Sequence, residues 1–339
     1  MIISKTPFRI SFFGGGTDYP GWFLEHGGAV VSTAIDKYCY ISVRRLPPFF
    51  EHSHRIVHSK IELVSTVDEI EHPVVRAVLE DSGIDCGIEI HHFGDLPARS
   101  GLGSSSSFAV GLLNAMHALQ GRMVPRETLA KEAIRVEHDL LAENVGWQDQ
   151  ICAAYGGLNR IEFTPSGQFS VSPVIVGSER VIELERSIML FFTGVSRFAS
   201  SVAKETIENF RAREKELAAL RAMVDEGISI LQTESRPMRE FGELIDESWA
   251  LKRGLAKNVS NPEIDAMYEA ARGAGASGGK LMGAGGGGFL VLIVEPDRQR
   301  AVRDALRKLI QVSCRLDFTG TEISVFSPDH FETTLDPTP

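Results

Sequence analysis

The segment P-A-R-S-G-L-G-S-S-S-S, Pro97 to Ser107, sets two glycines and four consecutive serines just before an apolar, small-residue stretch that reads as a helix. Backbone N–H groups at a helix N-terminus, approached closely because glycine has no side chain, form a site for phosphate. The pattern is not G-x-x-x-x-G-K-[ST], and an ordinary N-cap with a flexible turn accounts equally well for a lone Gly/Ser stretch. Four serines opening an apolar helix favour the anion site, and one of them could also offer a hydroxyl to magnesium. A second bare loop, G-A-G-G-G-G from Gly283 to Gly288, precedes a strand that stands without it. Such a loop lets a ligand or another backbone come into contact, at an entropic cost to folding. The third cluster, G-G-G-T-D-Y from Gly14 to Tyr19, ends a strand and holds Asp18 beside glycines. That arrangement suits a carboxylate accepting hydrogen bonds from a polyol, and an Asx turn is the plainer account.

Two acids stand apart. Glu137, in IRVEHDLL, has Ala133, Ile134, Leu140 and Leu141 as its neighbours three and four residues away on a helix, all apolar. It therefore points with the apolar stripe, where a carboxylate needs a metal ion or a cation, and a structural salt bridge remains open. Asp149, in G-W-Q-D-Q, follows twelve residues later, and the sequence alone does not say where it points. His52, His54, His58, His91 and His92 lack the spacing and acidic company of a metal site.

These residues need elements to hold them. Ile2 to about Val43 reads as β, with Cys39, Ile41 and Val43 alternating onto one face, and short strands continue at RIVH, IELV and GIEIHH. A helix is expected from about Ser105 to Leu119 and another from about Arg126 to Ala142, with Pro125 at its start. Strands follow at LNRIEF and RSIMLFFTG. Beyond Ser200 the spacing predicts a helix over Ala203 to Val224, and another after the N-cap Asn261 and Pro262. GGFLVLIVE then reads as a strand, RQRAVRDALRKLI as an amphipathic helix and TEISVF as a last strand. Strands and helices do not alternate regularly, so the class is α+β rather than a doubly wound parallel sheet. The two halves divide near residue 185, into 1–185 and 186–339.

The chain has 339 residues, enough for two domains at roughly 150 each. Hydrophobic residues at 43% and charged residues at 24% are globular values and exclude a disordered chain. No apolar run approaches about 18 residues, so no membrane partner is expected. The N-terminus does not read as a signal peptide, which makes the expected location cytoplasmic. The net charge of -10 argues against sequence-independent nucleic-acid binding, so any anionic ligand must be met locally. Cys39, Cys86, Cys152 and Cys314 form no C-x-x-C pair and read as reduced, mostly buried thiols. A homodimer is left open, because the Ala203 to Val224 helix could pack within the chain or across an interface.

The three glycine clusters, in this order, resemble the GHMP kinase family of galactokinase, homoserine kinase, mevalonate kinase and phosphomevalonate kinase. PFRISFFGGGTDYPG is similar to the first motif in its galactokinase-like form, PARSGLGSSSSFAVG to the phosphate-binding second motif, and KLMGAGGGGF to the third. The resemblance implies an N-terminal domain of the ribosomal protein S5 domain 2-like kind and a ferredoxin-like C-terminal domain, with ATP and substrate between them. It implies ATP contacts at Arg99, Ser100, Gly101, Leu102, Gly103, Ser104, Ser105 and Ser106, and Mg2+ at Ser105 and Glu137. Asp149 resembles the catalytic aspartate and Arg9 the basic residue that pairs with it. Substrate contacts are implied at Gly14, Gly15, Gly16, Thr17, Asp18, Gly283, Gly285 and Gly286. Where galactokinase has G-E-H-T-D this chain has G-G-G-T-D, which puts galactose in doubt and leaves room for a larger acceptor.

Within the family, GGGTDYPGWF, GGAVVSTAIDKY and GAGGGGF most resemble bacterial kinases of D-glycero-D-manno-heptose 7-phosphate, which phosphorylate the anomeric hydroxyl on the way to nucleotide-activated heptose for surface polysaccharide. A sugar phosphate partner requires cations, for which Arg197 and Lys280 are the candidates. Another sugar 1-kinase, acting on fucose or an unphosphorylated heptose, is the nearer alternative. An ATP-binding sugar sensor and an ATP-dependent decarboxylase are the more distant ones.

Overall fold

The structure, a computed structural model, describes residues 1–98, 100–194 and 199–328. Arg99 and Arg197 therefore lie outside the described residues. The chain runs β1 (Ile2–Phe13), α1 (Pro20–His26), β2 (Gly28–Arg45), β3 (His54–Val57), β4 (Ile61–Val64), α2 (Pro73–Ser82), β5 (Ile88–Gly94) and α3 (Ser104–Leu119). It continues through α4 (Arg126–Ile134), α5 (Gln148–Tyr155), β6 (Leu158–Phe163), β7 (Phe169–Pro173) and α6 (Ser178–Ser187). After these come β8 (Ile188–Phe192), α7 (Ala199–Glu208), α8 (Glu214–Gln232), α9 (Met238–Arg253), α10 (Pro262–Gly273) and β9 (Gly278–Leu281). The last elements are β10 (Phe289–Ile293), α11 (Gln299–Ala305), β11 (Ile310–Val312), β12 (Leu316–Asp317) and β13 (Glu322–Phe326).

β1 and β2 pair antiparallel from Ile2 opposite Val43 to Phe13 opposite Val31, and the triple-glycine turn with α1 closes this long hairpin. The alternation in KYCYISV is realised in β2, where Cys39, Ile41 and Val43 are buried. A large sheet grows from the hairpin in the order β13-β1-β2-β5-β3-β4, with β6 and β12 also on β2 and β7 on β6. α3 packs on β1 and β2, and the serine-rich turn before it lies over the middle of β1, where the Ser107 hydroxyl donates to Pro7 O at 2.8 Å. The second sheet has the order β11-β8-β10-β9 and is antiparallel throughout. Numbered within that unit the order is 4-1-3-2, the ferredoxin-like arrangement that the resemblance implies. β12 and β13 pair with β2 and β1, so the segment 186–339 also contributes two strands to the first sheet.

The two layers share a core: the Phe241 ring of α9 stands edge-on to Phe12 and Phe13 of β1, each at 5.2 Å between centroids. The expected helix over Ala203 to Val224 is divided into α7 and α8 by a 3-10 turn at Phe210–Arg213. Phe210 is buried there against Tyr19 and Trp22, at 5.9 and 6.3 Å, a contact the helical period does not reveal. The expected helix over Arg126 to Ala142 keeps its α form only to Ile134 and passes into a π-helical turn, Arg135–Leu140. Such turns widen a helix by one residue and are frequent at functional sites. Among the described residues no helix is long and apolar enough to cross a membrane.

Candidate active site

α3 begins after Gly103, whose φ of +76 only glycine adopts readily and which has no side chain to cap the helix. The N–H groups at the positive end of a 16-residue helix suit an anion. A Cβ on Gly103 would lie 3.2 Å from Arg9 Cγ and 3.5 Å from Asp149 Oδ2, so the turn and Asp149 are in contact.

Asp149 stands in the first turn of α5, and Arg9 reaches it from β1 in a two-pronged pair, Nε to Oδ1 at 2.8 Å and Nη2 to Oδ2 at 2.6 Å. The remaining Arg9 nitrogen, Nη1, donates to Gly101 O at 2.7 Å, and Leu102 O accepts from the Arg9 backbone N at 3.0 Å. Burial works against the Arg9 charge, and the Asp149 carboxylate more than compensates, raising the Arg9 pKa. The Asp149 side chain keeps 25% of its surface open, against 3% for Arg9. The carboxylate is thus fixed from behind and open in front.

Glu137 is fully buried in the π-helical turn, as its apolar neighbours predict. Its Oε2 accepts from Ser106 Oγ at 2.7 Å and Gln150 Nε2 at 2.6 Å, and the Ser105 hydroxyl also bonds the carboxyl. Ser106, not the exposed Ser105, makes the short bond, because a helix starting at Ser104 turns Ser106 inward. The other oxygen, Oε1, is buried with no protein partner, and Glu137 has no basic partner among the described ion pairs. Burial pushes its pKa up from an ordinary 4.5 to about 7. Because the folded value is the higher one, the native state loses stability as pH rises through the window from 4.5 to about 7, by about 3 kcal/mol in all. Glu137→Gln is expected to flatten that decline in thermal unfolding without divalent cation. An identical slope in both proteins would contradict the assignment.

Asp18 is buried at the triple-glycine turn, with Oδ1 accepting from Gly16 N at 2.9 Å and Oδ2 from Gln148 N at 3.4 Å. Burial raises its pKa, against the Gly16 N–H that favours the charged form. A Cβ on Gly146 would fall 1.9 Å from Asp18 Oδ2, so the G-W-Q-D-Q turn closes over this carboxylate only because Gly146 is bare. Gly14 is imposed by the fold, since a Cβ there would lie 2.0 Å from Ala29 O, and φ is +83°. Gly15 is not: its Cβ would meet nothing nearer than Ser11 Oγ at 3.7 Å and Gln148 Nε2 at 3.8 Å, so it leaves space beside Asp18. Ser11 Oγ and Gln148 Oε1 are buried without partners next to that space.

Several expected contacts are corrected by the geometry. The Thr17 hydroxyl bonds Gly14 O at 2.8 Å and Ala29 O at 2.9 Å, so it pins the hairpin instead of facing the cleft. Leu102 is buried, and its backbone carbonyl is taken by the Arg9 N–H. Gly283 and Gly285 are bare for the sake of another backbone: their Cβ atoms would lie 2.7 Å from Gly101 Cα and 2.6 Å from Val259 O. Gly286 likewise donates its N–H to Val259 O at 3.0 Å. The third glycine loop thereby braces the second, with Phe289 N donating to Ser100 O at 3.1 Å. Lys280 is no solvated surface charge, since it is 2% exposed and donates Nζ to Phe12 O at 2.8 Å. Gln150 and Lys252 were not signalled by spacing. Gln150 is one residue past Asp149, and Lys252 reads as an ordinary cation at a helix C-terminus.

The sequence profile of the GHMP kinases N terminal domain matches residues 66–157, and that of the GHMP kinases C terminal region matches 229–311, together more than half of the chain. The chain belongs to the GHMP kinase family. It is a phosphotransferase with an alcohol group as acceptor. This GHMP kinase is 29% identical over 319 residues to a D-glycero-alpha-D-manno-heptose 7-phosphate kinase of Campylobacter jejuni, covering 91% of this chain and 93% of that protein. It is 26% identical to a bifunctional fucokinase/GDP-fucose pyrophosphorylase of Arabidopsis thaliana, over 90% of this chain and 31% of that longer protein. A crystal structure described as a D-glycero-D-manno-heptose 1-phosphate kinase of Bacteroides thetaiotaomicron superposes with a TM-score of 0.78 at 23% identity, covering 96% of this chain and 100% of that one. That last likeness carries the fold.

Proposed function

We propose that this GHMP kinase transfers the γ-phosphoryl group of ATP to the anomeric hydroxyl of D-glycero-D-manno-heptose 7-phosphate, giving the 1,7-bisphosphate. The observation that supports it is the contact between the glycine turn at Gly103 and the Arg9-bound carboxylate of Asp149. A phosphate cradle and a proton acceptor side by side suit phosphoryl transfer, where positioning and charge stabilisation do most of the work. The acceptor follows the similarity to the Campylobacter heptose 7-phosphate kinase and the space left by Gly15.

The N–H groups of Gly101 to Ser106 hold the phosphates, while the Ser107 N–H is taken by Gly103 O at 2.9 Å, and Asp149 orients the sugar hydroxyl and accepts its proton as the new O–P bond forms. The leaving electron pair passes to the β-phosphate oxygen. Arg9 fixes both Asp149 oxygens and the Gly101 carbonyl, so the acid and the loop keep one geometry. The unpartnered Glu137 Oε1 with the Ser105 hydroxyl fits a hard divalent cation. Magnesium bound there would neutralise phosphate charge. Asp18, with the partnerless Ser11 and Gln148 atoms, lines the sugar's place. The 7-phosphate falls to Lys280 and Arg197.

A screen of sugars and sugar phosphates with ATP and magnesium, followed by locating the new phosphate, tests this. The expected result is the highest kcat/KM on the heptose 7-phosphate, with the new phosphate at C1. A preference for fucose or an unphosphorylated heptose would replace it with the other sugar 1-kinase reading, which the fucokinase similarity favours.

A further inference from the structure

Lys252 ends the long helix α9, half-buried, and donates an Nζ–H to Gly283 O at the mouth of the third glycine loop. Gly283 packs directly on Gly101, whose carbonyl accepts from Arg9, so Lys252 stands where both loops and the Arg9–Asp149 pair meet. An ammonium carries three N–H groups, and Gly283 takes one of them. Among the described ion pairs Lys252 has no carboxylate partner. The two acids in reach are committed elsewhere, Asp149 to Arg9 and Asp18 to the backbone N–H groups of Gly16 and Gln148. Lys280 adds another ammonium, whose hydrogen-bond partner among the described residues is the Phe12 carbonyl. Arg9, Lys252 and Lys280 each feel the charge of Asp18, so three basic side chains share two carboxylates, Asp18 and Asp149, and burial holds the Lys280 ammonium well below its ordinary pKa. A buried charge without a counter-ion is costly, and an arriving anion removes the cost.

We propose that Lys252 is a further catalytic residue, whose two unused N–H groups contact the γ-phosphoryl group as it passes from ATP to the acceptor. This rests on the kinase reading above. Charge in such a transfer spreads over the equatorial oxygens of the moving group, where a preorganised cation acts most strongly. The γ-phosphate is favoured over a phosphate on the acceptor by the anchoring of Nζ to the loop that touches Gly101. Lys252 also feels the charge of Asp149. Burial, helped by Arg9, pulls the Lys252 pKa down to about 8, and phosphate oxygens would restore it.

The test compares Lys252→Met and Lys252→Arg with the parent by calorimetry, using ADP and a non-hydrolysable ATP analogue with magnesium. The methionine variant is expected to lose about tenfold of the preference for the triphosphate and about 10² to 10³ in kcat, with arginine restoring part of both. Acceptor affinity should be unchanged. An unaltered preference with weakened acceptor binding would overturn the proposal and assign Lys252 to the acceptor. An unaltered preference with a lowered Tm would also overturn it, leaving a structural tie to Gly283. Failure of the heptose reading shows separately, in the acceptor screen of the parent protein, because the calorimetric comparison of ADP with the ATP analogue needs no acceptor, and kcat and acceptor affinity are read on whichever acceptor that screen identifies.

Discussion

Asp149→Asn is expected to lower kcat by about 10² to 10⁴ while nucleotide affinity stays near the parent value. Asparagine keeps the shape and one acceptor oxygen for Arg9, so the two-pronged geometry survives in part. Alanine would be a poorer probe, because stripping a buried ion pair of one partner costs about 3 to 5 kcal/mol. Arg9, at 3% exposure, would be left without its counter-ion. Steady-state kinetics with a Tm measured alongside separates lost chemistry from lost fold. Turnover near the parent rate in a folded variant would remove Asp149 from the role of proton acceptor.

Gly101→Ala is expected to have the next largest effect, and for a reason that no ligand enters. Gly101 has φ +78, and a Cβ there would fall 2.4 Å from Met282 O. The left-handed conformation costs about 1 to 2 kcal/mol. Forcing the third loop away adds about 1 to 3 kcal/mol. Because Gly101 O also anchors Arg9, the displacement is transmitted to the acid, and a shift of about 1 Å is worth about 10² in kcat/KM. Gly121→Ala is the matched control, with φ +72 and nothing within 4 Å of its Cβ. It should show the conformational cost alone, with kinetics unchanged. Equal losses in the two variants would mean that the contact between the glycine loops contributes nothing.

What the sequence revealed depended on whether the cause was local. The burial of Glu137 follows from four apolar neighbours on its own helix, and the glycine turn that opens α3 from residues adjacent in sequence. The direction of Asp149 does not, because it is set by Arg9, 140 residues away on β1. The choice between Ser105 and Ser106 as partner of Glu137 depends on the residue at which α3 starts and on the π-helical turn opposite, and a shift of one position rotates a helical side chain by about 100°. The bareness of Gly283 to Gly288 was visible, but whether it served a ligand or a backbone depended on Ser100, Gly101 and Val259, all remote in the chain. Lys252 gave no local signal, since a lysine closing a helix is ordinary and only its neighbours across the fold make it unusual.

The most direct measurement is a structure determined with a non-hydrolysable ATP analogue and magnesium. The β- and γ-phosphates are expected within hydrogen-bond distance of the backbone N–H groups of Gly101 to Ser106, with the γ-phosphorus facing Asp149. Phosphates bound away from this serine-rich turn, or a γ-phosphate turned from Asp149, would contradict it.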